Sequence, residues 1–248
     1  MTTLLGIWAH PDDEAYCSSG LMAQVRDDGS RVVVVTATRG EHGTGDPDAW
    51  PPERLAALRE RELRESLAQA GVTEHRWLGH RDGELDRVAV EAGAATLLSI
   101  IEEVRPTVIV TFGPEGMTGH ADHRAISAWT THAWHASGER AALWYATLTP
   151  EFHRAWGDLN DEVGLWMDGS APPTHDASQL AAEVRLSGRR LDRKHRALRA
   201  HASQTRGLEE LVGADRYRRW WSTESFVAAV RRRPATSTGD GPSAVRAG

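Results

Sequence analysis

The sequence predicts an α/β fold, three-layered and Rossmann-like, with a mostly parallel central sheet. Short apolar runs bounded by turn residues alternate with longer amphipathic stretches from residue 4 to about residue 147. That alternation is typical of βαβ units, whose helices cover the faces of a sheet. With 248 residues and 40% apolar content, the chain is long enough for one substantial core and does not require a second domain.

The predicted elements alternate along the first part of the chain. Five apolar runs predict strands over Leu4–Ala9, Arg31–Thr38, His75–Leu78, Thr107–Phe112 and Ala142–Thr147. The intervening stretches have apolar residues at helical spacing. They predict helices over Ala15–Asp28, Pro52–Ala70, Val88–Val104 and Ala121–Ala136.

The last third of the chain breaks this pattern. Residues 151–186 contain a Pro-Pro pair and scattered tryptophans, so we expect an irregular insertion near the functional site. A basic helix is predicted near Arg189–Ala200, within a single domain of residues 1–233. Residues 234–248 are rich in Gly, Pro, Ser and Thr without apolar periodicity, and we expect them to be disordered.

The composition narrows the choice of partner. A formal charge of −6 and a pI near 6.1 disfavour nucleic acid or an anionic membrane, so we expect a small-molecule substrate. Cys17 is the only cysteine in the sequence, which excludes an intrachain disulfide. No stretch approaches the roughly 18 apolar residues of a membrane span, and the N-terminal apolar run lacks the basic segment of a signal peptide. We predict a soluble, cytoplasmic protein and leave its oligomeric state, a homo-oligomer included, open.

A first group of ionisable residues, His10-Pro11-Asp12-Asp13-Glu14, stands where the first predicted strand ends. Ligands of open α/β sheets bind at the carboxyl ends of strands. The imidazole of His10 and the carboxylate of Asp13 suit zinc, with iron or manganese as alternatives, and Asp12 is then free to act as a base. An N-cap cluster explains the same residues equally well, because carboxylates are favoured in the first turn of a helix.

A second group, His120-Ala121-Asp122-His123, follows the strand that ends at Phe112. His120 and His123 are three residues apart at the start of a predicted helix, so one can bind a metal while the other faces a substrate. Together the two groups supply two histidines and a carboxylate, and they leave a coordination position for water, as catalytic zinc sites do. Two unrelated capping clusters are the less favoured explanation.

These two motifs make the sequence similar to the PIG-L or LmbE-like family of N-acetylglucosaminyl deacetylases. Weaker matches extend over most of the chain, at 38–41, 59–62, 82–83 and 200–204. The resemblance implies that the metal is held by His10, Asp13 and His123, that Asp12 is the general base, and that substrate is bound by Arg59, Asp82, Glu41 and His201. A solvated arginine, a turn and a core histidine are the structural alternatives for Arg59, Asp82 and His201.

The implied reaction is hydrolysis of an N-acyl group, in the first place N-acetyl, on an amino-sugar conjugate. Zinc lowers the pKa of water toward about 7, so that Asp12 can accept a proton. A protonated His120 would help to stabilise the oxyanion, and Asp122 would keep His120 charged or orient a nearby imidazole. Either Asp12 or His120 could protonate the leaving amine.

One position departs from the mycothiol-pathway members of the family. They have a tyrosine two residues before the first histidine of the second motif, where this chain has Thr118. The oxyanion then depends on His120, and a mycothiol substrate is disfavoured. Two other functions stay open, an amidase for a larger thiol or peptide-like conjugate and a sugar-binding module without catalysis. We expect residues 41–50 and 151–173 to select the substrate.

Overall fold

A seven-stranded sheet forms the centre of the computed structural model, which describes residues 2–169 and 171–231. Its strands are Thr3–Trp8 (β1), Arg31–Thr36 (β2), Glu74–Trp77 (β3), Val108–Phe112 (β4), Ala142–Thr147 (β5), Leu180–Arg185 (β6) and Thr223–Ala228 (β7). The order across the sheet is β3-β2-β1-β4-β5-β7-β6. β1 to β5 pair in parallel, and β7 is antiparallel to both of its neighbours.

Helices cover both faces of this sheet. They are Asp13–Cys17 (α1), Ser19–Asp27 (α2), Pro52–Ala70 (α3), Val90–Val104 (α4), Ala121–Ala136 (α5), Pro150–Glu162 (α6), Gly188–Ala200 (α7), Ala202–Val212 (α8) and Ala214–Trp220 (α9). The chain first steps from β1 outward to β3 and then returns to β4 and β5 on the other side. Because such crossovers are right-handed, the helices of the two halves lie on opposite faces. Accordingly α2, α3 and α7 contact one another, and α4 packs against α5.

The reversal in strand order places a crevice at the carboxyl ends of β1 and β4. The central strands are covered on both faces and are continuously apolar, as parallel strands usually are. Leu5, Ile7 and Val33 to Val35 are fully buried. Crevices where the strand order reverses are the usual ligand sites of open α/β sheets. Both ionisable groups of the sequence begin at this crevice.

Most of the predicted elements are present. All five predicted strands occur within two residues of their expected ends, and α3 and α5 have the predicted bounds. The α/β fold with a mostly parallel sheet is confirmed. The helix expected over Ala15–Asp28 is instead broken at Ser18, whose φ of −149° is not helical. Its first piece begins at Asp13, which therefore lies inside α1.

The prediction of an irregular segment over residues 151–186 holds only for much of the described chain between α6 and β6. Residues 151–186 contain nearly all of α6 and β6. The start of α6 has clear local signals, since Pro150 is its first residue and Thr149 Oγ1 accepts a hydrogen bond of 3.2 Å from the Phe152 N–H. The expected disorder of residues 234–248 lies outside the described residues. In the described part of the chain no helix is long and apolar enough to cross a membrane.

The packing of α4 on α5 yields a stability prediction. A Cβ added at Gly93 would overlap the ring of Trp129, whereas a Cβ at Gly207 in α8 would meet no atom within 4 Å. Gly93→Ala should therefore destabilise the fold by about 1–2 kcal/mol through overpacking. Gly207→Ala, the matched control, should stabilise it by up to about 1 kcal/mol. Urea unfolding measures both, and equal effects of the two substitutions would contradict this packing.

The environment of His75 yields a prediction about acid stability. Burial lowers the pKa of His75 to about 4, and its Nε2 lies 3.0 Å from Thr36 Oγ1. The unfolded chain has an ordinary histidine pKa of about 6.5, so between these values it binds a proton that the folded protein does not. Stability should therefore fall as the pH falls from about 6.5 to 4, by roughly 1 kcal/mol per pH unit near pH 5.

His75→Gln should remove this contribution. Urea unfolding at a series of pH values should give a flatter dependence for the variant near pH 5. Between pH 7.5 and 8.5, where His75 is neutral in both states, the parent and the variant should have parallel curves. Equal slopes near pH 5 would contradict the assignment.

Candidate metal and catalytic site

The two ionisable groups meet at the crevice between β1 and β4. His10 and Asp12 precede α1, Asp13 begins it, and His120 and His123 flank the start of α5. All five side chains line one cavity of about 390 Å³. His10, Asp13 and His123 are also nearly buried, with 8%, 7% and 7% of their surface exposed.

His10, Asp13 and His123 have the geometry of a metal site. Each offers one ligand atom, and these atoms all lie within 4.8 Å of one another. His10 Nδ1 is 3.2 Å from His123 Nε2 and 3.7 Å from Asp13 Oδ2, and His123 Nε2 is 3.3 Å from Asp13 Oδ1. A tetrahedral site with bonds of 2.0–2.1 Å requires ligand separations of about 3.3 Å. Two imidazole nitrogens and a carboxylate at these distances fit a zinc-like ion.

The opposite nitrogen of each histidine is held by a hydrogen-bond acceptor. His10 Nε2 lies 3.0 Å from Asp82 Oδ1 and 3.1 Å from Asp122 Oδ2. His123 Nδ1 lies 3.0 Å from the carbonyl oxygen of Gly116. Such partners fix the tautomer, so that His10 Nδ1 and His123 Nε2 are the nitrogens left for a metal.

A second group of potential ligands, His10, His120 and Asp122, overlaps the first. Asp122 is fully buried, and its two oxygens already accept backbone hydrogen bonds of 2.8 Å from Gly83 and 3.0 Å from Leu85. Its remaining contact orients His10. The geometry therefore favours Asp122 as a partner of a metal ligand over Asp122 as a ligand.

The pKa values of the candidate ligands reflect their mutual contacts. Burial alone would lower the pKa of His10, but its hydrogen bonds to Asp122 and Asp82 raise it to about 10. Burial would raise the pKa of Asp13, but the charge and hydrogen bond of His123 lower it to about 2. The contacts of His10 and Asp13 therefore favour a positive charge on His10, among the carboxylates that surround it. A metal ion would supply positive charge at the same place.

Asp12 has a strained backbone and a shifted pKa. Its φ is 110°, a conformation that L-residues rarely adopt. The backbone N–H of Asp12 donates to Glu14 Oε2 at 3.0 Å, and Arg59 Nη2 lies 3.5 Å from Asp12 Oδ1. Burial raises the pKa of Asp12 to about 6, although the positive charge of Arg59 opposes this shift. A carboxylate with that pKa can accept a proton near neutral pH.

His120 caps α5 with its own imidazole. His120 Nδ1 accepts a hydrogen bond of 3.1 Å from the Asp122 N–H, so a neutral ring carries its proton on Nε2. Burial lowers the pKa of His120, and positive charge on His10 and His123 lowers it further. The charge of Asp122 opposes this lowering, and the side-chain contact of Asp122 with His10 matches the alternative that Asp122 orients a neighbouring imidazole. In its neutral form His120 can donate a hydrogen bond from Nε2 at the cavity wall.

Arg59 and Asp82 line the cavity, but both Nη atoms of Arg59 and both carboxylate oxygens of Asp82 have partners in the protein. Arg59 donates to the carbonyl oxygens of Gly40 and Pro11 and is only 3% exposed. Asp82 accepts from His10 and from the His42 N–H at 2.9 Å. Gly40 is required beside Arg59, because its φ is 63° and a Cβ would overlap the guanidinium group. The side chains of Arg59 and Asp82 therefore hold the loops around the site, and this role does not depend on a substrate.

Glu41 and His201, predicted to bind substrate, do not line the cavity. Glu41 Oε1 accepts from the Asp82 N–H at 3.0 Å. His201 is fully buried, with its Nε2 2.8 Å from Glu14 Oε1. This placement contradicts direct substrate contact by His201 and matches the alternative of a core histidine.

Glu14 is the functional residue that sequence reasoning missed. It is fully buried and accepts hydrogen bonds from Asp12, from His201 and from Ser66 Oγ at 2.8 Å. Because His201 and Ser66 are distant in sequence, the motif around Glu14 gave no signal of these contacts. Glu14 therefore connects the strained turn at Asp12 to α3 and to the junction of α7 and α8.

Comparisons with known proteins identify the family of this chain. Residues 5–134 match the sequence model of the PIG-L family, described as GlcNAc-PI de-N-acetylase. A protein of Actinosynnema mirum named 1D-myo-inositol 2-acetamido-2-deoxy-alpha-D-glucopyranoside deacetylase is 33% identical over 240 residues, covering 86% of this chain and 84% of that protein. A protein of the same name from Saccharomonospora viridis is 32% identical over 81% of this chain and 84% of its own length.

Solved structures have the same fold. The N,N'-diacetylchitobiose deacetylase from Pyrococcus horikoshii aligns with a TM-score of 0.68 and 23% identity, over 92% of this chain and 84% of that chain. The 4-carboxy-2-hydroxymuconate hydratase from Pseudomonas putida aligns with a TM-score of 0.60 and 15% identity, over 94% and 98% of the two chains. Since a hydratase shares the fold, the fold alone does not specify the reaction.

The activity class follows from the sequence relationship. The family match covers the strands and loops that carry both ionisable motifs. The curated relatives extend the similarity to most of the chain. The predicted class, a hydrolase that acts on an amide bond, is confirmed, and the chain belongs to the PIG-L family of de-N-acetylases.

Proposed function

We propose that the chain removes an N-acyl group from an amino-sugar conjugate with the help of a divalent metal ion, preferably zinc, held by His10, Asp13 and His123. The observation that carries the proposal is the convergence of these three ligand atoms beside Asp12 in one cavity. The curated relatives, whose names specify an acetamido sugar linked to inositol, support the same bond as the point of attack. The substrate is then a small molecule.

Asp12 carries the proton transfers of this reaction, and His120 stabilises the negative charge that develops. When bound, the metal ion would lower the pKa of water and polarise the acyl carbonyl. Asp12 accepts the proton of the attacking water, for which a pKa of about 6 is suitable. His120 donates a hydrogen bond from Nε2 to the oxygen that becomes negative, and Asp12 then returns its proton to the leaving amine.

Glu14, Arg59 and His201 act as positioning residues in this proposal. Glu14 and Arg59 hold the turn that carries Asp12, and His201 supports Glu14 from behind. Asp82 and Asp122 orient His10 in the same way. Arg59 and Asp82 also reach the cavity surface, where we place the sugar. A cytoplasmic location remains a prediction from the sequence, and the oligomeric state, a homo-oligomer included, remains open.

The metal site predicts the effect of removing one ligand. Asp122→Asn removes a hydrogen-bond partner of a ligand and should weaken zinc binding by roughly 10- to 100-fold. His123→Ala removes a ligand itself and should weaken zinc binding by more than that. Metal analysis after dialysis against graded chelator concentrations measures this. His132→Ala alters an exposed histidine of the same helix and should retain the metal of the parent. Full zinc content in His123→Ala would exclude the proposed ligand set.

The proposed base predicts a separation of binding from catalysis. Asp12→Asn should retain the metal and lower the release of free amine from N-acetylglucosamine conjugates by about a hundred- to ten-thousandfold. A fluorescent assay of free amines, with metal analysis of the same samples, measures both. Asp12→Gly should be equally inactive but more stable by about 1 kcal/mol, because glycine adopts positive φ without strain.

Two outcomes would refute this proposal. Unchanged amine release by Asp12→Asn would remove Asp12 as the base. Sugar binding by the parent without any amine release, and with little bound metal, would indicate the sugar-binding module considered from the sequence.

A further inference from the structure

The cavity continues beyond the candidate metal ligands into a space with apolar walls, here called the apolar chamber. Its walls are formed by Phe152, Val163, Leu165, Leu208 and Trp221. These side chains are partly exposed, and they pack on a small hydrophobic cluster separate from the main core. The buried members of that cluster are Ala15, Leu159, Leu198, Tyr217 and Trp220. The chamber is thus a distinct apolar surface that opens onto the site.

The aromatic wall of the chamber is held in place by packing. The ring of Trp221 stacks on Trp220 with centroids 4.5 Å apart, and Tyr16 contacts it edge-on at 4.6 Å. A preformed apolar wall gains free energy when it covers an apolar ligand surface, since both surfaces leave water. It offers little to a polyol such as inositol, whose hydroxyl groups require hydrogen-bond partners.

Two polar side chains at the edge of the chamber, Thr147 and Glu224, already have partners, whereas the buried indole N–H groups of Trp166 and Trp221 have none. Thr147 Oγ1 lies 2.7 Å from His175 Nδ1. Glu224 accepts hydrogen bonds of 2.7 Å and 2.8 Å from the backbone of Gly20 and Leu21, and it also pairs with Lys194. Thr147 and Glu224 are occupied by the protein itself, so the chamber favours an apolar occupant.

The sheet order gives the direction of the chamber relative to the scissile bond. Arg59 and Asp82 reach the cavity from the elements beside β2 and β3. β5 and β7, on the other side of β1, also contribute to the cavity, and the chamber walls from α6 and Trp221 adjoin the ends of these strands along the chain. The two substituents of an amide extend in opposite directions from its carbonyl group. A sugar placed beside Arg59 and Asp82 would therefore direct its acyl chain toward the chamber.

We propose that the apolar chamber binds the acyl chain of the substrate, and that this enzyme prefers N-acyl groups longer than acetyl. The inference rests on the proposed function, because it uses the same scissile bond. Water adds its oxygen to the acyl carbonyl carbon, the C–N bond breaks, and the nitrogen takes up a proton. The products are a free amino sugar and an apolar carboxylate.

Two substrate series test the proposal. In the first, methyl glucosaminide carries an N-acetyl, N-butanoyl, N-hexanoyl or N-octanoyl group. In the second, N-acetylglucosamine carries a methyl, butyl or octyl aglycone. The rate at which the free amino sugar is released gives kcat/KM for each compound. We expect a gain of about three- to fourfold for each added acyl methylene while the chain stays within the chamber, and no comparable gain with the aglycone.

A variant pair on α8 ties the effect to the chamber. Leu208→Ser should lower the ratio of hexanoyl to acetyl kcat/KM by about tenfold, because Leu208 lines the chamber. Leu211→Ser changes a leucine of the same helix that is 69% exposed, and its ratio should equal that of the parent. An equal fall in both variants would overturn the assignment.

The remaining outcomes separate this inference from the function beneath it. Turnover of the N-acetyl compound without a gain for longer acyl chains would overturn the acyl assignment alone. A gain that follows the aglycone would place the aglycone in the chamber and would also overturn it. No amine release from any compound would refute the proposed function itself.

Discussion

The turn from His10 to Glu14 holds Asp12 at a φ of 110°, a conformation that costs a non-glycine residue of order 1–3 kcal/mol. The cost is offset by two hydrogen bonds of the turn, one that the Asp12 N–H donates to Glu14 and one that the Pro11 carbonyl oxygen accepts from Arg59. The strained turn points the carboxylates of the consecutive residues Asp12 and Asp13 in different directions. Asp13 contacts His10 and His123, whereas Asp12 reaches the cavity beside Arg59. A relaxed helical turn would not place a ligand and a base on adjacent residues in this way.

The charges around the turn explain why a cation belongs there. Four carboxylates surround the site, from Asp12, Asp13, Asp82 and Asp122, and Arg59 is the permanent cation among the described residues that contact them directly. A divalent ion would offset this excess of negative charge and would take the place of a proton on His10. Glu14 faces away from this group of carboxylates, because its Oε1 contacts His201 and Ser66. The same arrangement leaves Asp12 as the carboxylate whose pKa is raised toward neutrality.

The elements and site residues that could be predicted from the sequence are those whose signals are local. Continuous apolar runs located β1 to β5, and the two motifs located all the candidate ligands, since both lie at strand ends. Sequence reasoning did not reach Glu14, whose partners Ser66 and His201 are 52 and 187 residues away. It also overstated His201 and Glu41, because a motif match does not distinguish a side chain in the cavity from one behind it. The break at Ser18 was hidden for a similar reason, as the apolar spacing continues through it.

The chain divides chemistry from selectivity along its length. The candidate ligands, Asp12 and His120 all fall within residues 5–134, the region that matches the family model. The walls of the apolar chamber come from residues 152 to 221, beyond that region. In such a protein, substitutions in α6, in α8 and at the residue after α9 can change the group that is bound. The crevice between β1 and β4 is not disturbed by them. The strained turn is fixed by the central sheet and its helices, so the reaction stays the same while the chamber sets its acyl group.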